Sequence, residues 1–230
     1  MAEYRGVLFD KDGTLFGFAD TWTVWATRLF DDLAAGDDTL AQALGARVGF
    51  DMRAGRFQRD SVVIAGTPDE IALALSGALP HLTTTALTRR MNAIAEEAPV
   101  AETVPLAPFL DGLAAAGLKL GVATNDAEAP ARANLDQVGI TARFDFIAGS
   151  DSGFGAKPEP GMLLGFARAT GLACEELVMV GDSLHDLMCG RAAGAATVAV
   201  LTGLATKEEL APHADVVLPD IGHLPDWLGL

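Results

Sequence analysis

The chain has 230 residues, of which 50% are hydrophobic and 20% are charged, and it carries a formal net charge of −15. This composition is typical of a globular protein with one domain plus an insertion, or with two small domains, and it argues against disorder. The negative charge disfavours nucleic acid and anionic membranes as partners, and no run approaches the roughly 18 apolar residues of a membrane span, so we expect a soluble cytoplasmic protein.

The first predicted element is a buried strand over Gly6 to Phe9, an apolar run that ends at two aspartates. Asp10 and Asp12 are separated only by Lys11, and two carboxylates this close need a cation or a shared proton. A bound Mg²⁺ ion is the simplest way to balance the two negative charges, because it takes oxygen ligands and keeps waters that a phosphate can replace. A surface turn capped by Asp12 is the alternative explanation of this motif taken alone.

The following segment, between about residues 16 and 100, contains no strand-like run, and its apolar residues recur at helical spacing. One helical face would carry Trp22, Trp25, Leu29 and Leu33. The sequence TPDE at residues 67–70 is typical of a helix start, with Thr67 as the cap and Glu70 reaching back to it. We therefore predict an all-helical module over residues 18–98, inserted into a core of residues 1–17 and 99–230.

The rest of the chain alternates between apolar runs and segments of helical length. The predicted strands are Leu118 to Ala123, Phe144 to Ala148, Leu177 to Val180, Ala196 to Leu201 and Ala214 to Leu218. The predicted helices are Pro105 to Ala116, Ala129 to Val138, Gly161 to Thr170 and Leu184 to Ala193. This alternation predicts an α/β fold in which helices cover both faces of a parallel sheet.

Polar residues follow these later strands, at the edge of the sheet where such folds bind ligands. Thr124 and Asn125 follow one strand, and Asp182 and Asp186 follow another. The four-residue spacing of the two aspartates puts both carboxylates on one side of the first helical turn, within reach of one metal ion. Lys157, in the sequence AKPEP between those strands, offers a positive charge.

Four motifs in this order, DKDGT, TN, KP and GDSLHD, resemble those of the haloacid dehalogenase superfamily. The resemblance covers about two-thirds of the chain and implies a Rossmann-like catalytic core. The helical insertion after the first motif is similar to the C1-type cap of that family, which closes over the active site.

The resemblance also implies a role for each motif residue. Asp10 would be the nucleophile that forms an aspartyl phosphate, and Asp12 would be the general acid and then the general base. Thr124 and the backbone amide of Asn125 would bind the phosphoryl oxygens, while Lys157 would neutralise charge on the nucleophile and the phosphoryl group.

The family resemblance further implies a Mg²⁺ cofactor. Its protein ligands would be Asp10, the backbone carbonyl of Asp12, Asp182 and, directly or as support, Asp186. Lys11 occupies a position that more often points into the surroundings than at substrate, so the predicted site does not include it.

The identity of residue 12 distinguishes members of the superfamily. Cation-pumping ATPases resemble this motif with Thr in place of Asp12, and their phosphoenzyme persists because no carboxylate activates water. The Asp therefore favours a phosphatase or a phosphomutase. Phosphoglycolate phosphatases share the cap class, although they usually continue the motif with an acidic-serine pair that FGFADTW at residues 16–22 lacks.

The leading hypothesis is therefore a Mg²⁺-dependent phosphatase of small-molecule phosphate monoesters such as phosphoglycolate or a sugar phosphate, acting as a monomer or homodimer. A phosphomutase of the beta-phosphoglucomutase kind and a catalytically silent phosphometabolite-binding protein are the alternatives. Within the insertion, Arg53, Arg56 and Arg59 recur every three residues. Arg53 and Arg56 are candidate contacts for a substrate carboxylate or second phosphate, and a solvated surface is the alternative for each.

Overall fold

The computed structural model describes residues 4–230, so residues 1–3 of the predicted core segment 1–17 lie outside the described residues. The strands are β1 (Gly6–Phe9), β2 (Phe50–Asp51), β3 (Arg56–Phe57), β4 (Lys119–Ala123), β5 (Phe146–Ala148), β6 (Leu177–Gly181), β7 (Ala196–Val200) and β8 (Val216–Leu218). Six of them form one parallel sheet in the order β5-β4-β1-β6-β7-β8. The predicted strands are all present, with ends that differ by no more than two residues.

Ten α-helices accompany the strands within the described residues. They are α1 (Phe18–Ala34), α2 (Asp38–Arg47), α3 (Pro68–Ser76), α4 (Thr84–Glu96), α5 (Leu106–Ala115), α6 (Glu128–Gln137), α7 (Gly161–Thr170), α8 (Leu184–Ala193), α9 (Lys207–Leu210) and α10 (Leu224–Leu228). No helix within residues 4–230 has both the length and the apolar character needed to cross a membrane.

Helices cover both faces of the six-stranded sheet, as the alternation along β1 illustrates. Val7 and Phe9 belong to the hydrophobic cluster that includes Leu110 of α5. Leu8, between them, belongs to a different cluster that includes Phe166 of α7. Successive residues of a strand point to opposite faces, so β1 is buried on both sides and reads as a continuous apolar run. The predicted α/β fold class is confirmed.

The helices α1 to α4 share a hydrophobic cluster of their own, which includes Trp25, Phe30 and Leu75. The predicted helix start at Thr67 is confirmed, because Thr67 Oγ1 accepts from Glu70 N at 3.3 Å and Glu70 Oε2 accepts from Thr67 N at 2.8 Å. The division into an insertion at 18–98 and a core on either side stays a prediction, which this separate cluster supports.

The inserted segment also contains a short antiparallel hairpin, β2 with β3, which departs from the all-helical module expected there. The carboxylate of Asp51 accepts from the backbone N–H groups of Arg53 and Ala54 at 3.0 Å and holds the turn. Gly55, with φ of 61°, completes the reversal in a conformation that other residues rarely adopt. Each strand has two residues, which is too short for an alternating pattern to show.

The sheet order places the ends of three strands side by side. β1 lies between β4 and β6, and Phe9 pairs with Val122 on one side and with Val180 on the other. The segments that leave these strands therefore begin at one edge of the sheet.

Candidate active site

The turn after β1 positions Asp10 and Asp12. Asp10 N donates to Val180 O at 2.8 Å, which continues the pairing of β1 with β6. The chain then reverses so tightly that the N–H groups of Leu15 and Phe16 both donate to Lys11 O at 3.0 Å. Gly13 has a φ of 84°, and a Cβ on it would lie 2.5 Å from the Asp182 carboxylate. This position therefore requires glycine, both for its backbone and for its close approach to the Asp182 side chain, which follows β6.

Three buried carboxylates meet at this edge. Oxygens of Asp10, Asp182 and Asp186 lie within 4.8 Å of one another, a grouping that can hold a metal ion. Lys157 is buried beside them, and its Nζ donates to Asp10 Oδ1 and to Asp186 Oδ1, each at 2.6 Å. The structure thus brings together four of the residues that the sequence singles out.

The pKa values in this cluster reflect the concentration of negative charge away from water. Burial, together with the charges of Asp186 and Asp12, raises the pKa of Asp10 to about 7 against the opposing effect of Lys157. Burial and the charges of Asp10 and Asp186 also raise the pKa of Asp182 well above its usual value. Burial alone would lower the pKa of Lys157, but the two carboxylates it contacts outweigh burial and raise it. A bound cation would favour the ionised carboxylates.

Asp186 is fixed by its place in the first turn of α8. Its Oδ2 accepts from Ser183 N at 3.0 Å and from Ser183 Oγ at 2.6 Å, while its Oδ1 faces Lys157. Both oxygens therefore have protein partners. The Asp182 carboxylate instead lies against Gly203, where a Cβ would overlap it. Sequence reasoning did not single out Gly203, because its role depends on an approach between distant segments.

The two polar residues after β4, Thr124 and Asn125, differ in whether their side chains can still hydrogen-bond to a ligand. Thr124 Oγ1 accepts from Asp126 N at 3.1 Å, so its hydroxyl proton remains free to donate. The Asn125 side chain is occupied, since its Nδ2 donates to Ala65 O at 2.7 Å and to Lys157 O at 2.9 Å, and its Oδ1 accepts from Lys157 N at 2.8 Å. Asn125 thereby positions the lysine loop and connects the core to the inserted segment.

Lys11 is part of a buried network next to Asp12. Its Nζ lies 2.9 Å from Asp12 Oδ2 and 3.2 Å from Asp126 Oδ2, and it donates to Asn134 Oδ1 at 2.7 Å. Asn134 Nδ2 in turn donates to Ala95 O in α4, at 3.1 Å. Sequence reasoning missed Asp126 and Asn134. A charged residue directly after the Thr124-Asn125 pair is the only signal that pointed to Asp126, and none pointed to Asn134.

Several residues of this site line a cavity of about 600 Å³, counting the part open to solvent. Asp10, Asp12, Thr124, Asn125, Lys157 and Asp182 face it from the core. Arg53 and Arg56 are exposed on the β2-β3 hairpin and are not among the lining residues, so their contact with substrate stays a prediction. Arg59 Nη2 bonds to Glu209 Oε2 in α9, at 2.7 Å.

The chain is similar to known hydrolases in both sequence and structure. The sequence profile of the haloacid dehalogenase-like hydrolases matches residues 7–200. A phosphoglycolate phosphatase of Xylella fastidiosa strain 9a5c is 30% identical over 205 residues, which cover 89% of this chain and 83% of that protein. The phosphoglycolate phosphatase of Rhodospirillum rubrum is 36% identical over 121 residues, only 53% of this chain and 50% of that protein. The solved structure of a HAD phosphatase from Thermococcus onnurineus shares the fold, with a TM-score of 0.70 at 24% identity over 98% of each chain.

Proposed function

The chain belongs to the haloacid dehalogenase-like hydrolase family and is a phosphoric monoester hydrolase similar to phosphoglycolate phosphatases, and we propose that it cleaves small phosphate esters with Mg²⁺ through an aspartyl phosphate on Asp10. The observation that carries this proposal is the contact of Asp10 with Lys157 at 2.6 Å, inside a cluster of three buried carboxylates, two of which line a cavity. Such a cluster is poised for a cation and a phosphoryl group.

The proposed magnesium ligands are Asp10, the backbone carbonyl of Asp12 and Asp182, with Asp186 as support. The donor set fits a hard divalent cation, because all these groups offer oxygen and the carboxylates are buried with raised pKa values at Asp10 and Asp182. Bound there, Mg²⁺ would neutralise negative charge on the phosphoryl oxygens and on the carboxylates. Asp186 is the weaker candidate, since Lys157 and Ser183 already use its two oxygens.

The proposed first step is the transfer of the phosphoryl group to Asp10. A carboxylate oxygen of Asp10 forms a bond to phosphorus as the bond between phosphorus and the substrate's alcohol oxygen breaks. The electron pair of that bond stays on the alcohol oxygen, which takes a proton from Asp12. The contact with Lys157 uses one acceptor site of Asp10 Oδ1, so the carboxylate keeps sites both for the attack and for the metal ion.

The second step is hydrolysis of the aspartyl phosphate. Asp12, now ionised, accepts a proton from a water molecule as its oxygen bonds to phosphorus, and the bond between phosphorus and the Asp10 oxygen breaks. Asp12 is close enough for its charge to contribute to the raised pKa of Asp10, and both residues line the same cavity. Lys11, 2.9 Å from Asp12 Oδ2, positions its carboxylate.

The remaining groups bind the phosphoryl oxygens. The Thr124 hydroxyl has a free proton to donate, and the backbone amide of Asn125 is the second proposed donor. Lys157 balances the charge that accumulates as the phosphoryl group moves to Asp10. The Asn125 side chain keeps this lysine in place through two hydrogen bonds to its backbone.

The test is release of inorganic phosphate from a panel of phosphate esters, with Mg²⁺ and with a chelator, by the wild type, Asp10→Asn and the control Asp31→Asn. Asp31 is exposed on α1. We expect Mg²⁺-dependent release that Asp10→Asn lowers by at least about a thousandfold and the control leaves unchanged. Release from no ester would refute the phosphatase proposal. Unchanged release by Asp10→Asn would refute the assigned nucleophile, and product that retains phosphate would identify a mutase.

A further inference from the structure

The core and the inserted segment line the cavity with different chemistry. The core supplies the carboxylates and Lys157, whereas the inserted segment supplies a mainly apolar wall with one amide side chain, that of Asn92. The main apolar members of this wall are Phe18, Trp22, Trp25, Ile64, Ile71 and Met91. The phosphoryl group is expected beside the carboxylates and Lys157, so the alcohol portion of the substrate would face this wall.

Positive charge is confined to the core side of the cavity. Of the lining residues within positions 4–230, only Lys157 and His185 can carry a positive charge, and both come from the core. Lys157 is already engaged by Asp10 and Asp186. Lys11 lies 5.8 Å from the centre of a Trp22 ring, but it is fully buried, does not line the cavity and is paired with two aspartates.

A second anion on the substrate would therefore be poorly accommodated. At the apolar wall it would lose water without gaining a counter-charge, which is unfavourable for a buried ion. Asp10, Asp12, Asp126 and Asp182 all line the same cavity and would add repulsion. An uncharged apolar group would instead gain from leaving water for this wall.

The hydrogen-bonding groups of the two tryptophans support the same distinction. Trp25 Nε1 donates to Met91 O at 3.0 Å. Trp22 Nε1 has no hydrogen-bond partner within the described part of the chain, although Trp22 is only 7% exposed and lines the cavity. Neither indole therefore places a charge at the wall, and the Nε1 atom of Trp22 is itself buried.

Resting on the phosphatase reaction proposed above, we infer that the preferred substrates are phosphate monoesters of uncharged, mainly apolar alcohols. The alcohol portion is aryl or alkyl in chemistry and carries no charge. Esters with a carboxylate or a second phosphate, phosphoglycolate among them, are the disfavoured class. The selectivity arises from the wall that Trp22, Ile64 and Ile71 help to form.

Matched esters test this inference on the wild-type protein with Mg²⁺. Phosphoglycolate and its primary amide, carbamoylmethyl phosphate, differ mainly in one negative charge, while benzyl and ethyl phosphate differ in apolar size. We expect kcat/KM to be at least about tenfold higher for the amide than for phosphoglycolate, and at least about tenfold higher for benzyl than for ethyl phosphate. Equal or higher kcat/KM for phosphoglycolate would overturn the inference and leave the phosphatase proposal intact.

Two further outcomes distinguish a failure of the phosphatase proposal from a failure of the inferred substrate preference. Release of phosphate from none of the four esters, and from no other ester of the panel, would defeat the phosphatase proposal itself. A loss of at least about tenfold in kcat/KM for phosphoglycolate, but not for its amide, in Arg53→Ala or Arg56→Ala would place a substrate-binding cation on the hairpin and overturn the inference.

Discussion

The ammonium group of Lys157 lies 2.6 Å from Asp10 Oδ1, and both side chains are buried. The same ammonium group contacts Asp186, so one positive charge is shared between two carboxylates that belong to different elements of the core. Asp10 follows β1 and Asp186 lies in α8, while Lys157 comes from the loop before α7. The lysine therefore fixes the relative positions of the strand ends as well as their charge.

Replacement of this lysine should damage catalysis and stability together. In Lys157→Met the two carboxylates lose their buried counter-charge, and we expect kcat to fall by at least about a hundredfold. Breaking a buried ion pair by removing one partner costs about 3–5 kcal/mol, so the free energy of unfolding without metal should drop by an amount of that order near neutral pH. Steady-state kinetics and urea unfolding measure the two effects.

Lys119→Met is the matched control for this change. Lys119 Nζ also pairs with an aspartate, Asp145, at 2.8 Å, but its side chain is 50% exposed. An exposed pair contributes less than about 1 kcal/mol, so this variant should keep its activity and nearly all of its stability. Equal losses in the two variants would contradict the special role of the Lys157 pair.

The raised pKa of Asp10 predicts how pH and metal act on stability. Its pKa is about 7 in the folded protein without metal, compared with 3.8 for a free side chain. Between these values the folded state holds a proton that the unfolded chain has released, so the free energy of unfolding should fall as pH rises through this window. The raised pKa of Asp182 acts in the same direction.

Mg²⁺ should reverse this loss, because it binds the ionised carboxylates. We expect the rise in melting temperature on addition of Mg²⁺ to be larger at about pH 8 than at about pH 6. Thermal unfolding with and without Mg²⁺ at both pH values measures it, and Asp10→Asn should weaken both the pH dependence and the effect of the metal. The same Mg²⁺ stabilisation at both pH values would contradict the assignment of these carboxylates as metal ligands.

The strands of the core could be predicted from sequence because they are buried on both faces. The apolar run Val7 to Phe9, for example, is unbroken. It is followed directly by the charged residues Asp10, Lys11 and Asp12, which mark the end of the strand in the sequence. Parallel strands end at one edge, so Asp10 and Asp182 could be placed together without coordinates.

Contacts between distant segments were not predictable in this way. Lys11 pairs with Asp126 and Asn134, more than 100 residues away, and no local pattern encodes that approach. Helical spacing placed Trp22 and Trp25 on one face of α1, but it does not reveal that this face borders a cavity. The β2-β3 hairpin was missed because its strands are too short to show a period.

The identity of residue 12 should decide whether the phosphorylated protein persists. In Asp12→Asn no carboxylate is left to deprotonate water, so hydrolysis of the aspartyl phosphate should slow by at least about a hundredfold. With an aryl phosphate, whose leaving group needs little protonation, the first step should still proceed. Intact-protein mass spectrometry after an acid quench should then detect one added phosphoryl group per chain.

The double variant Asp10→Asn with Asp12→Asn is the control for that experiment, because it lacks the carboxylate that becomes phosphorylated. It should show no increase in mass. An equal increase in the double variant would place the phosphoryl group on a different residue, and full turnover by Asp12→Asn would exclude Asp12 as the essential base.

The buried network around Lys11 should make a large contribution to stability. Burial disfavours its ammonium group, but the charges of Asp12 and Asp126 outweigh burial and raise the pKa of Lys11, so it is charged throughout the accessible pH range. In Lys11→Met the buried Asp126 carboxylate loses its counter-charge, and the free energy of unfolding should fall by about 3–5 kcal/mol at about pH 8. Burial already raises the pKa of Asp126, so protonation should reduce the loss at about pH 5.

Arg132→Ala provides the comparison, since Arg132 forms an exposed pair with Glu128 on α6, the helix that also carries Asn134. Its effect should stay below about 1 kcal/mol and change little with pH. Urea unfolding of both variants at the two pH values measures these differences. A small and pH-independent loss in Lys11→Met would show that Asp126 finds water or another partner when the lysine is removed, and that the network does not depend on its charge.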